Sequence, residues 1–276
     1  MRFEATTGVT GGFIAAILAS VFCLSLSVVS AVNAGEIEDG YEVGLIAYSQ
    51  GDYSKAVEAF SQAAKNGDSG AQHMLMRLYS EGKGVPVNGK QSHQWAKRAA
   101  EQGITHAQYE LAEQYHYGQG VELNFEKAFH WYEKAAKSGH HVAIEKLAAY
   151  YENGTAVSRD LEKAKRLYLY AASEYDVFAQ KGDPKSQNSL AMMYENGKGV
   201  SMNMLAAMDW YKQAALQDYA QSQFHLGRLL AEGDKVEQNI REAAYWLEQA
   251  AGQGYVAAQE MLTELRQTHG RTLAMR

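Results

Sequence analysis

A 36-residue period constrains this chain more than any other feature. Residues 105–140 carry Ala107, Leu111, Tyr115, Gly118, Gly120, Val121, Asn124, Lys127, Ala128, Trp131, Ala135, Ala136 and Gly139. Shifted upstream by one period, the same types return as Ala71, Leu75, Tyr79, Gly82, Gly84, Val85, Asn88, Trp95, Ala99, Ala100 and Gly103. Downstream they return as Ala143, Leu147, Tyr151, Gly154, Val157, Asp160, Lys163, Ala164, Ala171, Ala172 and Gly182. A fixed period of this length marks copies of one small unit, each unable to bury its apolar face alone, stacked on its neighbours.

Within each unit the spacing specifies two helices. Ala71, Leu75 and Tyr79 recur at i, i+4 and i+8 and share one helical face. Gly82 stands where a left-handed residue ends that helix. Three residues after the loop valine come Asn88, Asn124, Asp160, Asn203 and Asn239, side chains suited to cap the free amides of a following helix. That second helix carries Trp95, Trp131, Leu167, Trp210 and Trp246, expected to fill a wide gap. Each precedes an alanine pair that lets helices approach closely. The expected fold is therefore all-α, a right-handed solenoid of stacked helix-turn-helix repeats.

Five full units span 69–104, 105–140, 141–183, 184–219 and 220–255. Residues 35–68 read as a shorter tetratricopeptide-like N-terminal cap, with Gly44, Ala56, Phe60 and Ala63 in place. Residues 256–276 read as a C-terminal capping helix and tail. The third unit is seven residues too long, with Ser173 to Lys181 between its alanine pair and Gly182. Seven residues make about two helical turns, so the second helix can lengthen without rotating the units beyond it. Tyr175 and Phe178 in the added part either pack on the neighbouring helix or meet a partner.

The combination Leu-x-x-x-Tyr, Gly-x-Gly-Val, Asn/Asp, Lys-Ala, Trp, Ala-Ala and Gly resembles the Sel1-like repeat family, a subgroup of tetratricopeptide-like α-solenoids. The resemblance covers 69–255. Ala156 and Lys235 depart from it at the second loop glycine, Leu167 at the tryptophan and Leu230 at the tyrosine. It implies a non-enzymatic adaptor or regulatory role, because such proteins assemble complexes or restrain membrane signalling proteins. Some cysteine-rich members are associated with β-lactam binding and hydrolysis. This chain lacks their cysteine pairs, so that activity is not carried over.

At the N-terminus an apolar run covers residues 13–32, followed by Val32–Asn33–Ala34 and then Gly35–Glu36. Small residues before an acidic start are expected of a signal peptide spanning 1–34 and cut after Ala34, placing the repeats in the periplasm or outside the cell. The alternative is an uncleaved anchor, since about 20 apolar residues can span a bilayer. Cleavage would remove Cys23, the only cysteine, so stability is expected to come from packing without disulfides. The net charge of −6 argues against nucleic acid, which calls for a clustered basic face.

No catalytic constellation is evident, and no cofactor is implied. His106–Glu110 and His141–Glu145 have i, i+4 spacing but no third metal ligand, and the nine histidines read as solvated polar groups. The Gly-x-Gly loops follow no strand and are not phosphate loops. What remains is a surface. Solenoids of this type bind along an inner, concave face lined by first helices. Around the buried leucines that face presents Arg77, Tyr109, Glu113, Tyr150, Met192, Phe224 and Arg228, with Tyr175 and Phe178 from the long helix added. Leu78, Met193 and Leu229 read as packing on the next helix instead. The expected partner is a protein or peptide in the envelope, such as a membrane signalling protein. A structural role in an envelope polysaccharide or motility machine, or a cell-wall ligand, are the alternatives.

Overall fold

The computed structural model describes residues 40–274; the proposed signal segment and its cut after Ala34 lie outside them. Thirteen helices fill the described residues, with no strand among them. They are α1 Gly40–Ser49, α2 Tyr53–Lys65, α3 Ser69–Glu81, α4 Gly89–Glu101, α5 Thr105–Tyr117, α6 Phe125–Lys137 and α7 His141–Asn153. Then come α8 Leu161–Gln180, α9 Pro184–Asn196, α10 Met204–Ala215, α11 Ala220–Glu232, α12 Ile240–Gly252 and α13 Val256–Ala274. Packed pairs run in chain order, α1 on α2 through to α12 on α13. The chain is an α-solenoid.

Each repeat loop closes in the same way. The five Asn/Asp side chains cap the second helices, accepting from Gln91, Lys127, Lys163, Ala206 and Glu242 amides at 2.8–3.1 Å. Their own backbone N–H groups reach back to the carbonyls of Tyr79, Tyr115, Tyr151, Tyr194 and Leu230 at 2.8–2.9 Å. The second loop glycine has a steric reason. A Cβ on Gly120 would sit 2.0 Å from the Gly89 carbonyl oxygen, and one on Gly199 would sit 2.2 Å from that of Tyr168. These loops thus lie directly on the preceding unit's second helix, a contact that leaves no room for a side chain at Gly120 or Gly199.

Two features of the packing differ from expectation. Trp131 and Trp246 are buried, but Trp95 and Trp210 are only half-buried. The rings of Trp95 and Trp131 lie under the cations of Arg98 and Lys134 at 4.8 and 4.4 Å. The deep gap is filled by the next residue, Tyr132, Tyr168 or Tyr211, turned about 100° further round the helix. Each of these tyrosines donates its hydroxyl to a first-helix glutamate: Tyr132 to Glu113, Tyr168 to Glu152 and Tyr211 to Glu195.

The second feature is a ladder of glutamines. Gln72, Gln108, Gln187 and Gln223 are buried and donate to the carbonyls of Ala64, Ala100, Ala179 and Ala215 in the unit before, at 3.1–3.2 Å. At three rungs a second glutamine caps the first. Gln102, Gln217 and Gln253 donate to Gln72, Gln187 and Gln223 at 2.8 Å. The rung at Gln108 is incomplete: Ser138 occupies the corresponding position, and Gln108 Oε1 is buried without a partner.

Candidate interaction face

The first helices α3, α5, α7, α9 and α11 each begin just after a tight turn, so their starting residues line up across the stack. On this face the nominated residues fall into three groups. Tyr150 is 3% exposed, which corrects its reading as an outward contact. It sits three residues after a buried leucine, and that helical position points into the neighbouring unit throughout: Leu78, Gln114, Met193 and Leu229 are buried too. The Tyr150 hydroxyl meets His116 Nδ1 at 2.7 Å. Tyr175 is 1% exposed and donates to Glu145 at 2.7 Å, so it too is inaccessible to a partner.

A second group is half-buried and engaged. Glu113 accepts from Tyr132 and pairs with Lys146 at 3.2 Å. Arg228 pairs with Glu195 and, at 2.8 Å, with Glu232. Its guanidinium therefore ties α11 to the buried carboxylate of α9. Phe224 packs between the rings of His225 and Tyr255, with centroids 5.4 and 5.2 Å away.

The third group reaches the surface. Arg77, with its side chain 42% exposed, pairs only along its own helix with Glu81 at 3.3 Å, a contact worth little in solvent. Met192 is half-buried, and Phe178 is 37% exposed beside His141. Tyr109 stacks face to face on His140, 4.4 Å between centroids. Burial, with Glu113 second, pushes the Tyr109 phenol well above its usual range, so it stays a neutral donor. Tyr117, passed over in the sequence, is exposed with Lys146 5.6 Å from its ring.

A further feature escaped the sequence reading. His73, His106, His140 and His141 form a continuous row across α3, α5 and α7. Ring centroids are 5.4, 5.5 and 5.9 Å apart, and the row ends at Tyr175 and Phe178 of α8. His106 remains exposed, but His73, His140 and His141 are half-buried, which corrects their reading as solvated groups. Burial lowers the pKa of all three, that of His140 to about 4. The spacings of 33 and 34 residues, near the repeat period, were the available signal. Among the described residues no group of three or more His, Cys, Asp or Glu side chains could hold a metal ion.

Helix pairs closed by a Gly-x-Gly loop, capped by Asn or Asp and stacked in chain order define a helical repeat protein with an extended side-chain face. More specifically, the chain belongs to the Sel1 repeat family, which it matches over residues 31–68, 69–104, 105–140, 141–176, 184–219 and 220–255. It is similar to the crystal structure of a Sel1 repeat protein from Oxalobacter formigenes, with 26% identity and a TM-score of 0.64 over 86% of this chain and 91% of that one. It is also similar to a protective antigen of uropathogenic Escherichia coli displaying an SLR fold, with 32% identity and a TM-score of 0.53. That match covers 82% of this chain but about half, 48%, of the antigen. No curated protein matches the chain. Sel1 repeats generally mediate protein–protein binding, and proteins built from them are generally non-catalytic scaffolds.

Proposed function

We propose that this protein is an exported, non-enzymatic scaffold that holds a protein or peptide segment of the cell envelope against its first-helix face. The observation that carries this reading is how the face is built. Its charged groups, Glu113, Glu195 and Arg228, are already held by internal partners. The rings of Tyr109, Tyr117, His140 and Phe178 are carried by α5, the start of α7 and α8. Aromatic side chains fixed before binding give large contact area at low entropic cost. Export is supported by the apolar run 13–32 and the small residues at Val32 and Ala34.

The test uses the residues of this face that reach the surface. Arg77→Glu, Met192→Ala and Phe178→Ala combined should reduce capture of envelope partners by at least about tenfold, as read by proximity labelling in the host, with helicity unchanged. Equal labelling by wild type and the triple variant would place the working surface elsewhere. Mass spectrometry of the protein from the native host should give a mature chain starting at Gly35; an intact N-terminus would favour the anchor instead.

A further inference from the structure

The histidine row contains one chain of hydrogen bonds whose direction is fully fixed. It begins at the backbone N–H of Ala143 in the first turn of α7, which donates to His140 Nδ1 at 3.3 Å. A backbone amide can only donate, so His140 Nδ1 carries no proton. The neutral ring must then hold its proton on Nε2. That nitrogen lies 3.3 Å from His106 Nδ1. On the far side of His106, Nε2 faces the Glu110 carboxylate at 3.4 Å. An ionised carboxylate only accepts, so the His106 proton sits on Nε2, and Nδ1 is free to accept from His140. These constraints agree on one direction, Ala143 to His140 and His140 to His106, with His106 Nε2 turned to Glu110.

From this geometry we propose that His140 is the pH-sensitive part of a clasp joining the second repeat to the third, closed when its ring is neutral and opened by one added proton. A proton added to His140 must land on Nδ1. It then faces the Ala143 amide donor to donor, and α7 loses the only side-chain cap at its N-terminus. The capping bond becomes a repulsion, and the first turn of α7 loosens where it meets α5. Tyr109, stacked on His140, moves with it, so the clasp also shapes the exposed aromatic strip.

The surroundings favour a neutral His140. His140 is faced by His106 and Glu110 of α5, by His141 of α7 and by Lys185 of α9. His106 is faced from α3 by His73, which in turn is faced by Arg77. Of these neighbours only Glu110 is negative, and it is already engaged by His106. The equivalent helix starts show that the histidine is not needed to cap: Asp68 and Asp183 cap α3 and α9 from the same position, accepting from Ala71 and Ser186 at 2.6 and 2.7 Å.

Hydrogen–deuterium exchange on the whole protein at pH 7 and pH 4.5, expressed as protection factors, tests the clasp. Residues 141–147 of α7 should lose at least about tenfold in protection on acidification, while residues 184–190 of α9, capped by Asp183, lose less than about threefold. His140→Asn should abolish the difference, because its side-chain oxygen can cap Ala143 without titrating. If α7 and α9 lose protection equally in the wild type, the clasp does not exist. If His140→Asn responds to acid as the wild type does, His140 is not its sensor.

Discussion

The unfinished rung of the glutamine ladder makes a prediction that can be sized from the structure. Gln108 Oε1 is buried and unbonded, and an unsatisfied buried acceptor costs about 1–3 kcal/mol. The backbone at Ser138 already has the conformation the rung requires. Its φ and ψ of −88° and 10° match the −81° and 2° of Gln102 and the −86° and 3° of Gln253, both of which complete rungs. Ser138→Gln should therefore place Nε2 on Gln108 Oε1 without moving the chain. Ordering the longer side chain opposes this by up to about 1.5–2 kcal/mol, leaving a net gain of at most about 1 kcal/mol. For a chain of this size that is about 2–4 °C in Tm. The reverse change, Gln217→Ser, removes a 2.8 Å bond and orphans Gln187 Oε1, and should cost a similar amount. Stacked repeats need not unfold in one step, so exchange protection at residues 99–108 complements the melt. If Ser138→Gln is neutral while Gln217→Ser destabilises, the empty rung is satisfied by other means and the reasoning fails.

Other perturbations act through single contacts. Ala156 takes φ +55° where three of the other units have Gly84, Gly120 and Gly199; Ala156→Gly should stabilise by about 1 kcal/mol, seen as a higher urea midpoint with unchanged slope. Arg228→Met should destabilise by about 3 kcal/mol, because Glu195, 7% exposed, would lose its principal cation; a smaller loss than Arg77→Glu would show that the α9–α11 pair is not structural. Folded His140 and His225 are both held, chiefly by burial, near pKa 4, below the unfolded value of 6.5. The unfolded chain therefore binds more protons between those values, and stability should be complete above about pH 6.5 and fall as pH drops toward 4. A denaturant midpoint constant between pH 7 and pH 4.5 would contradict this.

The fold was readable because its rules are local and repeated. Five Asn/Asp positions after five loops leave little choice about where second helices begin, and all five act as caps. Interior pairings were harder to see. Tyr132 is adjacent to Trp131, and composition favours tryptophan as the filler; only the turn of the helix decides that the tyrosine points between the first helices. Gln108 reads as a polar surface residue until its amide is seen bonded to Ala100. For the interaction face the limit was angular. Counting from Leu147 places Tyr150 within a residue of the exposed stripe, yet at three positions on it turns toward the preceding unit, while Tyr117, at the helix end, turns to solvent. A side chain's neighbours across a repeat junction are set by the stacking of units, which a single unit's pattern does not contain.

The long helix α8 shows how such stacking tolerates change. Its seven extra residues duplicate the bonding pattern as well as the length. Tyr168 and Tyr175 are seven residues apart on α8 and bond Glu152 and Glu145, seven apart on α7. Two antiparallel helices keep the same faces together over seven residues, about two turns, so the insertion repeats one contact instead of creating a new one. After it, Ala179 takes the place the second alanine has elsewhere, accepting from Gln187 as Ala100 does from Gln108. The ladder therefore resumes in register, and the units beyond stack as if nothing had been added. An insertion of about five or six residues would turn Ala179 away from Gln187 and break the ladder at that junction. The same geometry explains the exposed Val177 and Phe178: the duplicated inner face, with Tyr175 and Ala179, is buried, and the outer one faces solvent.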